Sequence, residues 1–405
     1  MTARRVVVTG LGVICALGHN LAEVWCALRA GRSGIGPIRS LDVSNLRFQN
    51  GAEVREYDTG KHFGSGADLL DRFAQFALIS AREAVADSGV TLTPELRENT
   101  AVVSGSCVGG QSTQDAGFIE LYRQERGRVH PLTIPRTMAN AGASHISVEF
   151  GTTGPAFTIS TACSSANHAI GQAFRMVRSG EVDLAIAGGS EAPFSMGLLK
   201  AWEAIRVIAP DTCRPFSRDR RGMILGEGGA MLVLEPLERA EARGARIYGE
   251  IVGLGMSSDA GHITQPSVEG PARAMRAALR DAQLHPEQVG YINAHGTGTP
   301  GNDPTETRAI REVFGAHADR LAVSSTKSMH GHALGAAGAL EAVATVMALH
   351  QGLLPPTANF IEPDPECDLD IITHRARAAQ VECALSNSFA FGGLNAVLAL
   401  RTHLR

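Results

Sequence analysis

Short apolar runs alternate with longer alanine-rich stretches along this chain. Val6-Val7-Val8, Leu184-Ala185-Ile186-Ala187 and Met231-Leu232-Val233-Leu234 show no polar alternation, as in strands covered on both faces. The alanine-rich stretches between them read as helices, so the alternation predicts an α/β fold. At two places a strand gives way to a small-residue helix within a few residues. Gly154-Pro155 reads as a turn, Ala156–Ile159 as a short strand and Ala166–Ala173 as a helix; Val323-Ser324 leads towards a helix expected over Ala333–Leu349. A further strand, Gly290–Asn293, delivers the chain into the Gly/Thr-rich loop His295–Pro300.

Those two transitions resemble each other. Laid in parallel, Ser160 meets Ser324, Ser164 meets Ser328, His168 meets His332, Ala169 meets Ala333, Gly171 meets Gly335 and Ala173 meets Ala337. Cys163 then falls opposite Lys327. The repeat predicts two related halves, each presenting a helix N-terminus to a shared site. The division is expected at 250/251: 1–250 carries the cysteine, 251–405 the His and Lys residues.

Four segments carry candidate chemistry. Cys163, in Ser160-Thr161-Ala162-Cys163-Ser164-Ser165, is expected where unpaired N–H groups and the positive end of a helix dipole favour an anion. A thiol there is expected to have a lowered pKa and to act as a nucleophile; the other reading of such a cysteine is a buried structural one. His295 lies in a loop whose glycines let the backbone approach a ligand. Lys327, His330 and His332 can supply charge, proton transfer and hydrogen bonds from a strand-to-helix turn. The glycine pair of Asn387-Ser388-Phe389-Ala390-Phe391-Gly392-Gly393-Leu394-Asn395 can aim backbone N–H groups at an oxyanion.

Composition narrows the class. The 405 residues are 44% apolar and 19% charged, which suits a globular protein with a large core. A net charge of −4 gives no support for nucleic-acid binding. Seven cysteines, an odd number without paired metal-like spacing and without a clear export signal, suggest a reducing cytoplasm. Arg4-Arg5 and the mostly apolar stretch to Leu17 mimic a secretory signal, but Gly10, Gly12 and Gly18 interrupt it and Val6-Val7-Val8 reads better as a strand. No apolar run approaches the ~18 residues needed to span a bilayer.

Taken in order, the four segments resemble β-ketoacyl-acyl carrier protein synthases of the elongating type. The similarity runs from Val6-Val7-Val8-Thr9-Gly10-Leu11-Gly12 to Asn395, through Arg214-Pro215-Phe216, Gly226-Glu227-Gly228 and Gly261-His262-Ile263-Thr264-Gln265-Pro266. The resemblance implies the thiolase fold: two pseudo-twofold-related mixed α/β halves in five layers, paired as a dimer. It implies an acyl chain carried on Cys163 and condensed with malonyl-carrier protein as carbon dioxide leaves. The N–H groups of Cys163 and Phe391 would form the oxyanion hole. His295 and His332 would hydrogen-bond the enolate, and Lys327, held by Glu341, would tune them. Thr297 and Thr299 would bind the phosphopantetheine arm, and Val108, Trp202 and Phe391 would wall the acyl pocket. No metal or redox cofactor is implied. The acidic carrier protein would dock on basic residues, for which Lys61, Arg72, Arg126, Arg128 and Arg206 are candidates. The second subunit would be another copy or a chain-length-factor-like partner.

Departures from the family pattern point towards a specialised synthase of type II polyketide, polyene or nodulation type. Ala390 stands where glycine is usual, and alanine tolerates positive φ poorly. Leu394 and His330 replace threonines, Gly298 a serine, and Thr133 an aromatic near the pocket floor; the Gly301–Glu306 stretch also differs. A silent chain-length-factor-type subunit remains the alternative, although such chains typically lack the nucleophile. A degradative thiolase would need a second catalytic cysteine in the Asn387–Phe389 loop, and an initiating synthase would carry Asn in place of His332.

Overall fold

The computed structural model describes residues 3–403. Eleven strands form one hydrogen-bonded sheet. In chain order they are β1 (Val6–Cys15), β2 (Thr100–Gly105), β3 (Ala156–Ile159), β4 (Leu184–Glu191), β5 (Gly228–Pro236), β6 (Gly249–Ser258), β7 (Val289–Asn293), β8 (Ala322–Ser324), β9 (Asp370–Ile371), β10 (Cys383–Phe389) and β11 (Leu394–Arg401). The helices that matter here are α1 (Arg72–Ser88), α2 (Ala141–Phe150), α3 (Ser165–Ser179), α4 (Met196–Ile205), α5 (Glu269–Ala282), α6 (Asn302–Phe314) and α7 (Ala337–Gln351).

The spatial order is β9-β8-β7-β10-β11-β6-β1-β5-β4-β2-β3. It divides at the β1–β6 contact into β1-β5-β4-β2-β3 and β6-β11-β10-β7-β8, with β9 added at the far edge. The strand directions match step for step: antiparallel, antiparallel, parallel, parallel in each half. The seam itself is antiparallel, pairing Val6 with Ile251, Val7 with Glu250 and Val8 with Gly249.

Helices α3 and α7 pack together between the halves, α1 covers the outside of the first and α5 the outside of the second. This gives five layers, helix–sheet–helix–sheet–helix. Each outer helix meets its sheet through a Gly-Leu-Gly: Gly10-Leu11-Gly12 in β1 and Gly253-Leu254-Gly255 in β6. A Cβ at Gly12 would lie 2.0 Å from the Ser80 carbonyl oxygen of α1, and one at Gly255 1.9 Å from that of Ala274 in α5. Only glycine admits the helix backbone so close.

Two expectations need correction. The helix expected over Ala333–Leu349 begins at Ala337, after a short helix Lys327–His330 and a 3-10 turn Leu334–Ala336. The repeat holds at the strand ends but not through the helices. Five residues separate Ser160 from Ser165 at the start of α3, and thirteen separate Ser324 from Ala337 at the start of α7. His332 therefore precedes its helix, whereas His168 lies inside the first turn of α3.

Candidate active site

The C-terminal ends of β3, β7, β8 and β10 converge on a cavity of about 330 Å3 lined by Cys163, His295, His332, Thr297, Thr299, Trp202, Phe389 and Phe391, among others. Cys163 sits in the turn between β3 and α3. Ala162 ahead of it has φ +50, an uncommon conformation for a residue with a Cβ. It turns the chain sharply enough to present the next side chain at the helix start. Ser164 Oγ donates to the Leu394 carbonyl at 2.9 Å, tying this turn to the loop that carries Phe391. The N–H groups of Cys163 and Phe391 both face the Cys163 sulfur and favour its anion, as does the Lys327 charge. Burial opposes them and prevails, pushing the thiol up to about 11. This corrects the expectation of a lowered pKa: the helix start does favour the thiolate, but desolvation outweighs it.

His295 follows β7. Its backbone N–H and that of Gly296 donate to Glu306 Oε1 and Oε2 at 2.9 and 2.8 Å, and the Asn387 side chain adds a third bond to Glu306 at 3.1 Å. The buried Glu306 carboxylate, on α6, thus fixes the loop. Lys327 Nζ donates to the His295 carbonyl at 2.7 Å and lies 3.3 Å from His295 Nδ1. It also pairs with Glu341 of α7, and both side chains are fully buried. An ammonium donating to Nδ1 leaves the proton of neutral His295 on Nε2. His332 reaches the same tautomer by another route, because its Nδ1 accepts the Leu334 N–H at 3.1 Å. The two rings stand edge to face with centroids 5.4 Å apart. Burial first, and the Lys327 charge second, hold both imidazoles well below their ordinary pKa, so both are neutral at pH 7.

His330 is also buried and lowered to about 3. Its two ring nitrogens are engaged by the Gly331 carbonyl at 2.8 Å and Thr326 Oγ1 at 3.0 Å.

The remaining candidates separate. Trp202, on α4, stacks on Phe391 at 6.1 Å between centroids, and the pair covers one side of the cavity. Thr297 and Thr299 hydroxyls lie 2.9 Å apart on the cavity wall. Val108 does not line the cavity; it sits in the turn after β2, where its N–H donates to Glu191. Arg206 lines the cavity beside Arg221, and both are exposed. Lys61, Arg126 and Arg128 are exposed away from the cavity. Arg72 is not a free docking charge, because it holds Glu227 at 2.7 Å and lies over the Tyr57 and Phe76 rings. Ala390, which stands where glycine is usual, does not need a positive φ here: the positive values in this loop fall on Gly392 and Gly393, at +83 and +70. Asn387 and Phe389 lie in the fourth candidate segment and Glu306 in the Gly301–Glu306 stretch, but the sequence gives none of them a part at His295, because only the fold brings them there.

Comparison with known proteins agrees with this geometry. Residues 3–240 match the model for "Beta-ketoacyl synthase, N-terminal domain" and 248–361 that for "Beta-ketoacyl synthase, C-terminal domain". The chain is 48% identical over 401 residues to nodulation protein E of Rhizobium sp. (strain N33), covering 98% of this chain and 99% of that one. It is 44% identical over 409 residues to a 3-oxoacyl-[acyl-carrier-protein] synthase 2 of Synechocystis sp., covering 99% and 98%. Among solved structures, the ishigamide ketosynthase/chain length factor superposes with a TM-score of 0.94 at 40% identity, over the whole of both chains. Family models that match both halves, with full-length likeness in sequence and structure, lead to one conclusion: the chain belongs to the β-ketoacyl synthase family.

Proposed function

We propose that this protein lengthens an acyl chain carried on Cys163 by decarboxylative condensation with malonyl-acyl carrier protein. The observation that carries the reading is the pair of neutral imidazoles, each with its proton held on Nε2. In the first step the Cys163 sulfur attacks the acyl thioester carbonyl. The oxyanion is held by the Cys163 and Phe391 N–H groups, and the carrier thiol leaves with the proton. The malonyl thioester then loses carbon dioxide, and the electron pair of the broken bond moves onto its carbonyl oxygen as an enolate. His295 and His332 donate Nε2–H bonds to that oxygen. Lys327, fixed by Glu341, keeps His295 in the donor tautomer. The enolate carbon attacks the acyl carbonyl on Cys163, and collapse of the second oxyanion expels the Cys163 thiolate. Removing a single donor of this kind commonly costs 10²–10³ in kcat, roughly 3–4 kcal/mol.

Arg206 and Arg221, exposed at the cavity, form the best-placed basic pair for an acidic carrier protein. One solved relative is a type II polyketide ketosynthase in complex with its acyl-carrier protein. The edge position of β3 in the sheet and the exposed Val148 of α2 beside it support a dimer. The partner is a second copy or a chain-length-factor-like subunit. The division 1–250 and 251–405 belongs to the same reading. Seven free cysteines among the described residues, and no helix there long and apolar enough to cross a membrane, suit the cytoplasm. Relatives named for nodulation at 46–48% identity, above the 39–44% of the 3-oxoacyl synthases, favour a specialised pathway. The test is intact-mass analysis after incubation with a panel of acyl-carrier proteins, beside Cys163→Ala. One acyl group gained, and lost in the variant, supports the reading. A folded protein that accepts none would favour a silent subunit instead.

A further inference from the structure

The mechanism above makes no use of Glu191, the last residue of β4, whose side chain is completely buried. No Lys or Arg among the described residues pairs with it. Its carboxylate instead gathers donors from both halves of the molecule. Oε1 accepts from Ser106 Oγ at 3.0 Å and the Val108 N–H at 3.3 Å; Oε2 accepts from the Cys107 N–H at 2.6 Å and the Gly335 N–H at 3.0 Å. Ser106–Val108 is the turn after β2 in the first half. Its Cys107 carbonyl lies 3.5 Å from the Ser160 hydroxyl of the segment that leads to Cys163. Gly335 belongs to the second half, three residues beyond His332. The two segments touch: a Cβ at Gly335 would lie 2.3 Å from the Cys107 nitrogen and 2.5 Å from Glu191 Oε2.

We infer that Glu191 is a positioning residue that fastens the turn beside Cys163 to the segment beyond His332, and so sets the spacing between the loading and condensing parts of the site. The inference rests on the roles proposed for Cys163 and His332. A buried carboxylate with four converging donors is a strong two-sided clamp, because each N–H would otherwise be left unsatisfied in the interior. Its charge has a second consequence. The titratable groups around it are Cys107 and Cys163, with Lys327 beyond; Glu191 opposes the Cys163 thiolate while Lys327 favours it. Burial raises the Glu191 carboxyl itself to about 7.

Two variants separate reach from charge. Glu191→Asp keeps the charge but is one methylene too short to hold both segments. Glu191→Gln keeps the length: its oxygen still accepts from Cys107 and Gly335 and its amide nitrogen donates to Ser106 Oγ, so that only the longest bond, from the Val108 N–H at 3.3 Å, is lost. Three rates are measured on each: acyl loading by intact mass, decarboxylation of malonyl-carrier protein by the acylated enzyme, and iodoacetamide alkylation of Cys163 against pH. For Glu191→Asp, loading is expected within about threefold of wild type, while kcat for decarboxylation falls at least about tenfold at little-changed KM, the pattern of a displaced transition-state contact. Glu191→Gln should restore decarboxylation to within about threefold and move the alkylation profile about half a unit lower, since one opposing charge is gone. Wild-type rates in Glu191→Asp would overturn the inference. So would equal losses in loading and decarboxylation accompanied by a lowered melting temperature, or failure of Glu191→Gln to rescue. If the role of Cys163 were itself wrong, the wild-type chain would take no acyl group on Cys163; if that of His332 were wrong, His332→Ala would decarboxylate malonyl-carrier protein at the wild-type rate. The alkylation profiles need no carrier, and an unmoved Glu191→Gln profile would still count against Glu191.

Discussion

The two halves of the molecule share strand order, strand direction and a Gly-Leu-Gly beneath the outer helix, yet they contribute different chemistry. In the first half the link from the last strand of the repeat to the central helix is a tight turn, with room for one reactive side chain, Cys163. In the second half the corresponding link is eight residues longer. Those residues form the Lys327–His330 helix and the His332 loop, which supply the ammonium and one imidazole. Duplication provides the frame, and under the proposed function the length of one connection separates the half that attacks from the half that stabilises charge. His295 reinforces the asymmetry: it follows β7, and its counterpart strand β2 leads instead into the Ser106–Val108 turn.

The sharpest way to break this comparison is to remove the one group the first half provides. Cys163→Ala should abolish acyl loading altogether, read as absence of the mass gain. Next is His332→Ala, which should leave loading in place but lower decarboxylation about 10²–10³-fold, measured as carbon dioxide release from malonyl-carrier protein. If loading fell equally, the division of labour between the halves would be wrong. The structural equivalence is tested by Gly12→Ala and Gly255→Ala. Each inserts a methyl against a helix carbonyl at 2.0 or 1.9 Å, so each should destabilise by about 1–3 kcal/mol, seen as matching drops in denaturation midpoint. A large loss at one and none at the other would mean that the halves are packed by different rules.

The smallest effect is in pH. His330 is held neutral in the folded state with a pKa of about 3, below its unfolded value of about 6.5. As pH falls below 6.5 the unfolded chain takes up a proton that the folded chain refuses, so this residue costs stability in acid and nothing above pH 7. Glu191 and Glu341, raised to about 7, act in the opposite sense between pH 7 and 4.5. The test is therefore differential: relative to wild type, His330→Gln should gain about 1 kcal/mol between pH 7.5 and 5.5, followed by thermal unfolding at both values.

Much of the frame was legible because it is written in local pattern. The apolar runs became strands, and the change from strand to small-residue helix placed Cys163 correctly. The match between Gly10-Leu11-Gly12 and Gly253-Leu254-Gly255 emerges only from the structure, because its meaning needs the helix that lies on each strand. What the sequence misrepresented depends on long-range burial. The Cys163 thiol was judged from its helix start alone, and the desolvation that reverses the shift comes from the surrounding halves. Val108 was placed on the pocket wall, but its turn faces Glu191. Alanine at 390 is compatible with the loop because the chain takes its positive φ at Gly392 and Gly393, which the sequence alone does not show. Glu191 is not legible because its partners are remote in sequence: Gly335 lies 144 residues away. Glu306 is near its loop in sequence, but its hold on the His295 and Gly296 N–H groups appears only when α6 folds back on that loop.

The β1–β6 seam also constrains how the protein is made. β1 precedes every other described strand of the sheet in the chain, but its two neighbours are β5 and β6, which begin at Gly228 and Gly249. At about 5–20 residues per second, the buried face and both edges of that strand wait on the order of tens of seconds for a mate. Pairing over such separations carries a large loop-closure cost and slows folding. Until β5 and β6 have been translated, Val6-Val7-Val8 is an open template for misassociation.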